Sequence, residues 1–258
     1  TRRTSRKGNL IMKLTVNPEF EQKFSPLKLK SAIYLFLNYF VGYFVVYPFI
    51  LKLISVLSGD TTQTLPMPYS VVLHLFVLGN SIRLAMPLLK ESYSTLMKNF
   101  NYSFILPMKL FPLMFFSSYV LSALATMITG NASSSNQEAL ITMLSSNRLF
   151  ILFLTMFFAP IVEEILFRGV LYRCLRRKGN IWFPMILSST LFGFLHVFDS
   201  LITRNYGDLI FLPLYAVMGF FLAYAYEKSG NIYSSMLLHF FNNSVSIFFV
   251  LLFGTLIK

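Results

Sequence analysis

PIVEEILFRG, residues 160–169, places Glu163, Glu164 and Arg168 inside a long apolar run. An ionisable side chain at bilayer depth costs at least ~2.5–3.5 kcal/mol even on the most lenient insertion scale, so such residues are functional by default. Helical geometry divides the pair. Residues four apart share a face, so Glu164 and Arg168 can form an ion pair within one helix. Glu163 points about 100° away from Glu164 and faces something else. The rest of the chain must supply its partners.

The surrounding composition is that of a membrane protein. Of 258 residues, 55% are hydrophobic and 12% charged, against about 25% charged in a soluble domain. Hydropathy marks roughly seven spans, at about 31–58, 66–89, 103–130, 148–174, 181–203, 207–227 and 232–256. The expected fold class is all-α, a polytopic transmembrane helix bundle. Residues 1–30 read as a basic cytoplasmic arm, 31–147 as N-terminal transmembrane helices without a motif, and 148–258 as the transmembrane helices that carry the motifs.

The net charge of +12 comes from basic residues gathered between apolar runs. That pattern signals topology and lipid-headgroup contact, not nucleic-acid binding. Lys90, Lys98, Arg173, Arg176, Arg177, Lys178 and Lys228 fall in alternate linkers, while 59–65 and 131–147 carry no Lys or Arg. The bias predicts a cytoplasmic N-terminus. The polar linker TGNASSSNQEA (129–139) reads as an outer, mobile loop, and Asp199 and Asp208 as solvated near that surface. Cys174 is the only cysteine, so no intrachain disulfide can form. The first apolar run is too long for a cleaved leader.

Two segments echo one another. GNIWFPMIL (179–187) and GNIYSSMLL (230–238) share Gly, Asn, Ile, an aromatic and Met at matching positions. Each opens a span, and each span then carries a histidine: His196 ends FGFLH and His239 begins HFFNN. Phe192 and His196 share a helix face, as do His239 and Asn243. Three helices thus each offer a polar face that convergence on one wet cavity would satisfy. A glutamate and a histidine can hold and deprotonate a water. A second histidine and an asparagine can donate to a developing oxyanion. His74, in VVLHLF, has no motif around it and reads as a packed interface histidine.

Glu163-Glu164 with Arg168, Phe192 with His196, and His239 with Asn243 reproduce EExxxR, FxxxH and HxxxN in order. Over about residues 155–250 the chain therefore resembles the CAAX-protease and bacteriocin-processing family (CPBP, Abi), whose eukaryotic members are the type II CAAX prenyl endopeptidases. The resemblance implies an intramembrane protease acting on a membrane-associated peptide or protein near the inner leaflet. It implies that Glu163 and His196 activate water, that His239 and Asn243 stabilise the oxyanion, and that Glu164, Arg168 and Phe192 support the site. No cofactor is favoured. A zinc variant would use Glu163, His196 and His239 as ligands, although HExxH spacing is absent. The competing readings are an idle membrane scaffold or regulator of a partner protein, and a proton-coupled transporter. The short linkers favour a bacterial plasma membrane.

Depth poses a difficulty. His196 follows Gly179 by 17 positions, whereas His239 follows Gly230 by 9, an excess of ~12 Å at the helical rise. For the two histidines to meet, GNIWFP is expected at headgroup level, with Trp182 as an interfacial aromatic.

Overall fold

The computed structural model describes residues 27–57, 59, 67–176 and 180–253. Most of the basic arm, the 60–66 linker, and Arg177, Lys178 and Gly179 lie outside the described residues. All regular structure in the described residues is helical, with no β-strand among them. Helix α1 covers Leu29–Leu57. Helices α2 (Met67–Leu84) and α3 (Met86–Lys98) form a pair bent by 71°. Pro87 explains the break. It lacks the N–H that would continue the bonding ladder of α2, yet is tolerated in the first turn of α3. Helix α4 (Phe100–Thr129) ends at Gly130, whose φ of +76° suits a left-handed helix stop.

Helix α5 (Ser135–Ser146) is a correction to the sequence reading, because it occupies the linker expected to be a mobile loop. Ser134 caps it by accepting from the Gln137 N–H at 3.3 Å, and is only 1% exposed. Then come α6 (Arg148–Leu175), α7 (Trp182–His196), the short α8 (Phe198–Ile202), α9 (Leu212–Ser229) after a 3₁₀ turn at Tyr206–Phe211, and α10 (Ile232–Phe253).

Five of these helices are long and apolar enough to cross a membrane, or six with the bent pair taken as one span. The expected run 181–203 is instead α7 plus α8. At 15 residues, α7 is about 22 Å long. Half of the most apolar stretch of α6, and of the span ending in α9, is buried inside the bundle, against none for α1. The helix carrying the acids is thus among the most enclosed, and the most apolar stretch of α1 lies at the periphery. One apolar core, including Leu35, Leu88, Met114, Val162, Phe192 and Leu238, runs through both halves of the chain.

Between α7 and α9 the packing depends on glycine. A Cβ on Gly193 would lie 2.8 Å from Ala216 N and 2.9 Å from Leu212 O, both backbone atoms of α9. A Cβ on Gly219 would lie 3.0 Å from Ser189 Cα. Without a hydrophobic force between helices in lipid, such close backbone approach is a principal way to hold them together.

At the other end of α9, buried Glu227 accepts from Arg176 Nε and Nη2 at 3.1 and 2.8 Å, and from the Tyr172 hydroxyl at 2.7 Å. Arg173 pairs with Glu91 at 2.7 Å. Two arginines of the expected basic linker thus fasten α6 to α9 and α3. Asp208 is a further correction. It is 2% exposed, not solvated, because it accepts from the Ser135 N–H at 3.0 Å and from the Ser200 hydroxyl.

Candidate active site

Glu163 and Glu164 close a short α-helical stretch, Ala159–Glu164, between two wide i→i+5 segments of α6, Leu154–Phe158 and Ile165–Tyr172. Such wide turns recur at functional sites because they interrupt the regular bonding ladder. Here the Ala159 N–H reaches back to Leu154 O, and Pro160 has no N–H to give. Neither can satisfy the Thr155 carbonyl. Asn243 on α10 takes it, donating from Nδ2 at 2.8 Å. Its Oδ1 accepts from Asn242 Nδ2 at 3.3 Å. Asn243 is thereby held in place, with one amide hydrogen uncommitted.

Glu164 is fully buried and joins two helices. Its Oε2 meets Arg168 Nε at 3.2 Å within α6, as the four-residue spacing requires, and accepts from the Ser235 hydroxyl of α10. Its Oε1 accepts from His239 Nδ1 at 3.1 Å. Arg168, equally buried, donates from Nη2 to Gly219 O at 2.6 Å and lies 4.8 Å from the centre of the Phe192 ring. The guanidinium therefore links α6, α7 and α9.

Glu163 is 8% exposed. Its Oε2 is buried without a hydrogen-bond partner among the described residues, 4.0 Å from His239 Nε2. That gap is too long for a direct bond and is of the kind a bridging water fills. His196, the last residue of α7, donates from Nδ1 to Phe192 O at 2.9 Å. No hydrogen bond or ion pair joins His196 to Glu163 among the described residues. The Phe192 ring connects the two histidines instead, at 4.6 Å from His196 and 5.7 Å from His239.

Residues 145–245 match the family of type II CAAX prenyl endopeptidases described as Rce1-like. The segment is of the CAAX-protease type. The chain is 31% identical over 111 residues to "Putative membrane peptidase YdiL" of Bacillus subtilis (strain 168), covering 43% of this chain and 41% of the relative. It is 33% identical over 99 residues to an uncharacterised protein of Mycoplasma capricolum, covering 38% of this chain and 26% of the relative. The chain thus spans less than half the length of these curated relatives. No solved structure matches it.

Within the CAAX-protease segment, sequence reasoning missed three residues. Ser235 bonds Glu164 and lies four positions before His239, so the face shared by Ser235, His239 and Asn243 was readable. Thr155 contributes only a carbonyl, which no side-chain pattern marks. Tyr215 of α9 stacks on His196 and had no motif around it. His74 lies outside the segment with both nitrogens engaged, Nδ1 by Ser70 O at 2.6 Å and Nε2 by the Tyr43 hydroxyl at 2.9 Å.

His239 Nδ1 is bonded to Glu164 and His196 Nδ1 to Phe192 O, so the ligand atom of each ring in a zinc site would be Nε2. Glu163, His196 and His239 do not converge at ligand distance, and no group of three His, Cys, Asp or Glu residues fit to hold a metal ion occurs among the described residues.

Proposed function

We propose that the chain is an intramembrane endopeptidase of a bacterial plasma membrane, cutting a membrane-associated peptide or protein near the inner leaflet by direct attack of water. The observation that carries this reading is the unbonded, buried Oε2 of Glu163 facing His239 Nε2 across 4.0 Å. A water in that region gives its proton to Glu163 as it attacks the scissile carbonyl. His196 holds the water through Nε2, which is its acceptor because Nδ1 donates to Phe192 O.

The carbonyl oxygen becomes an oxyanion, and His239 and Asn243 stabilise it. Glu164 takes the Nδ1–H of His239, so Nε2 donates to the oxyanion when the ring carries both protons. Asn243 donates its uncommitted amide hydrogen. Collapse of the intermediate breaks the C–N bond, and Glu163 returns its proton to the departing amine. Glu164 thus orients His239 in addition to pairing with Arg168. The lipid bilayer and the substrate are the partners this chemistry requires; nucleic acid has no part in it.

The test is cleavage of a prenylated, quenched-fluorescence tail peptide and of an apolar single-span peptide in reconstituted membranes. Glu163→Gln, His196→Ala and His239→Ala are each expected to lower kcat by about 10²–10⁴-fold. Chelator is expected to leave wild-type cleavage unchanged. Normal cleavage by all three variants would sink the assignment, and loss with chelator that zinc restores would replace it with the metal mechanism.

A further inference from the structure

His196 is the last residue of α7, and the chain leaves the helix at Val197, φ −111°. Its Nδ1–H bond to Phe192 O fixes one edge of the imidazole. The torsion that sets the plane of a histidine ring is soft, so one edge bond leaves that plane loosely defined. A helix end is also where backbone frays first. Something else must set the ring.

Tyr215 of α9 does so by position. Its ring lies on His196 at 4.6 Å between centroids, with only 22° between planes. Its hydroxyl is bonded to Ser134 Oγ at 2.6 Å and accepts from Asn136 Nδ2 at 3.4 Å. Ser134 is itself the N-cap of α5. The next residue, Ser135, donates its N–H to Asp208 Oδ1 and accepts from Asn205 Nδ2 at 3.1 Å. Asp208 is also bonded to Ser200 of α8. The tyrosine is therefore tied at its hydroxyl end to a polar cluster on three elements, buried at Ser134, Ser200 and Asp208, and presents its ring face to the histidine.

We infer that Tyr215 is the positioning residue for His196, its ring setting the plane of the imidazole and its hydroxyl anchoring that ring to the cap of α5. The consequence for turnover rests on the protease reading; the positioning itself does not. Tyr215 acts on the histidine and not on the substrate, so kcat must fall without KM.

The experiment compares Tyr215→Phe, Tyr215→Leu and Tyr215→Met in the full-length chain. The imidazole proton signals are followed by NMR and assigned by their loss in His196→Ala, which three histidines make tractable. The part of the His196 ring-current shift that Tyr215 adds to that of Phe192 is expected to persist in Tyr215→Phe and to be lost in the Leu and Met variants. With the prenylated tail peptide as probe, kcat is expected to fall more than ~10-fold in Leu and Met and stay within about threefold of wild type in Phe, with KM within about twofold throughout. Two non-aromatic variants guard against one failing to fold. An unchanged His196 signal in Leu or Met overturns the inference, as does a fall in kcat in Phe equal to that in Leu. An unmoved kcat in His196→Ala with the shift behaving as expected overturns the protease reading alone.

Discussion

GNIWFPMIL and GNIYSSMLL open α7 and α10 with matching words, and the two helices are then fastened to the bundle in opposite ways. At α10, Asn231 is fully buried. Its Nδ2 donates to Ser103 Oγ at 2.9 Å, and its Oδ1 accepts from the Ser234 N–H at 3.0 Å. Ser234 donates to Ser103 O at 2.8 Å, Tyr233 to Leu89 O at 3.2 Å, and Ser235 bonds Glu164. At α7, Asn180 is exposed and its side chain accepts from the Phe183 N–H at 3.2 Å, with no side-chain bond to another helix among the described residues, while Trp182 and Phe183 are about half exposed. That helix is held lower down, where Gly193 lets α9 approach its backbone. The two words differ where Phe183-Pro184 faces Ser234-Ser235, and those two hydroxyls carry bonds that α7 has no means of making. Lipid offers two ways of joining helices, polar side chains and small residues. This protein uses one for α7 and the other for α10.

The largest expected effect comes from Glu164→Gln, which weakens the polar mooring of α10 and unpairs Arg168, the guanidinium that links α6, α7 and α9. Removing one partner of a buried pair costs about 3–5 kcal/mol, because Arg168 stays buried and loses its counter-charge. A steep loss of monodisperse protein and a lower Tm in detergent are expected. A wild-type melt would mean that the polar bonds are not what holds α10.

Gly193→Ala makes the matching attack on α7. The added carbon falls within 2.9 Å of two backbone atoms, which cannot swing aside as a side chain would, and overpacking of this kind costs about 1–3 kcal/mol. Thermal unfolding with and without the substitution reads it directly, and no change would show that α7 and α9 have slack between them.

The finest test is the pair Asn231→Ala and Asn180→Ala. The first leaves buried partners unbonded, at about 1–3 kcal/mol. The second removes one exposed bond at a helix start, at the low end of the ~0.5–2 kcal/mol range for a lost cap. Equal losses of Tm would erase the contrast between the two openings.

What the sequence disclosed follows the range of the interactions. The Glu164–Arg168 pair was legible because helical spacing alone brings those atoms together. So was the helical class, since apolar runs of that length have few alternatives in lipid. The engagement of His239 by Glu164 was not, because it joins α6 to α10 and no local pattern encodes which rotation the helices adopt. The burial of Asp208 was hidden for the same reason, its partners Ser135 and Ser200 being distant or unremarkable serines. TGNASSSNQEA read as a loop because polarity was weighed there, although Ser134 followed by Glu138 in the first turn is a helix start. The hold of Asn243 on Thr155 needed knowledge of the wide turn, which Pro160 alone does not announce.

The length of α7 has a consequence for the bilayer around it. A helix of about 22 Å cannot match a hydrocarbon layer of about 30 Å, and mismatch of that size is relieved by thinning of the adjacent lipid. The membrane should therefore dimple beside His196, bringing headgroups and water toward a depth they do not otherwise reach. A polypeptide drifting along the bilayer toward that dimple would lose part of its incentive to remain helical before it touched a single side chain of the protein.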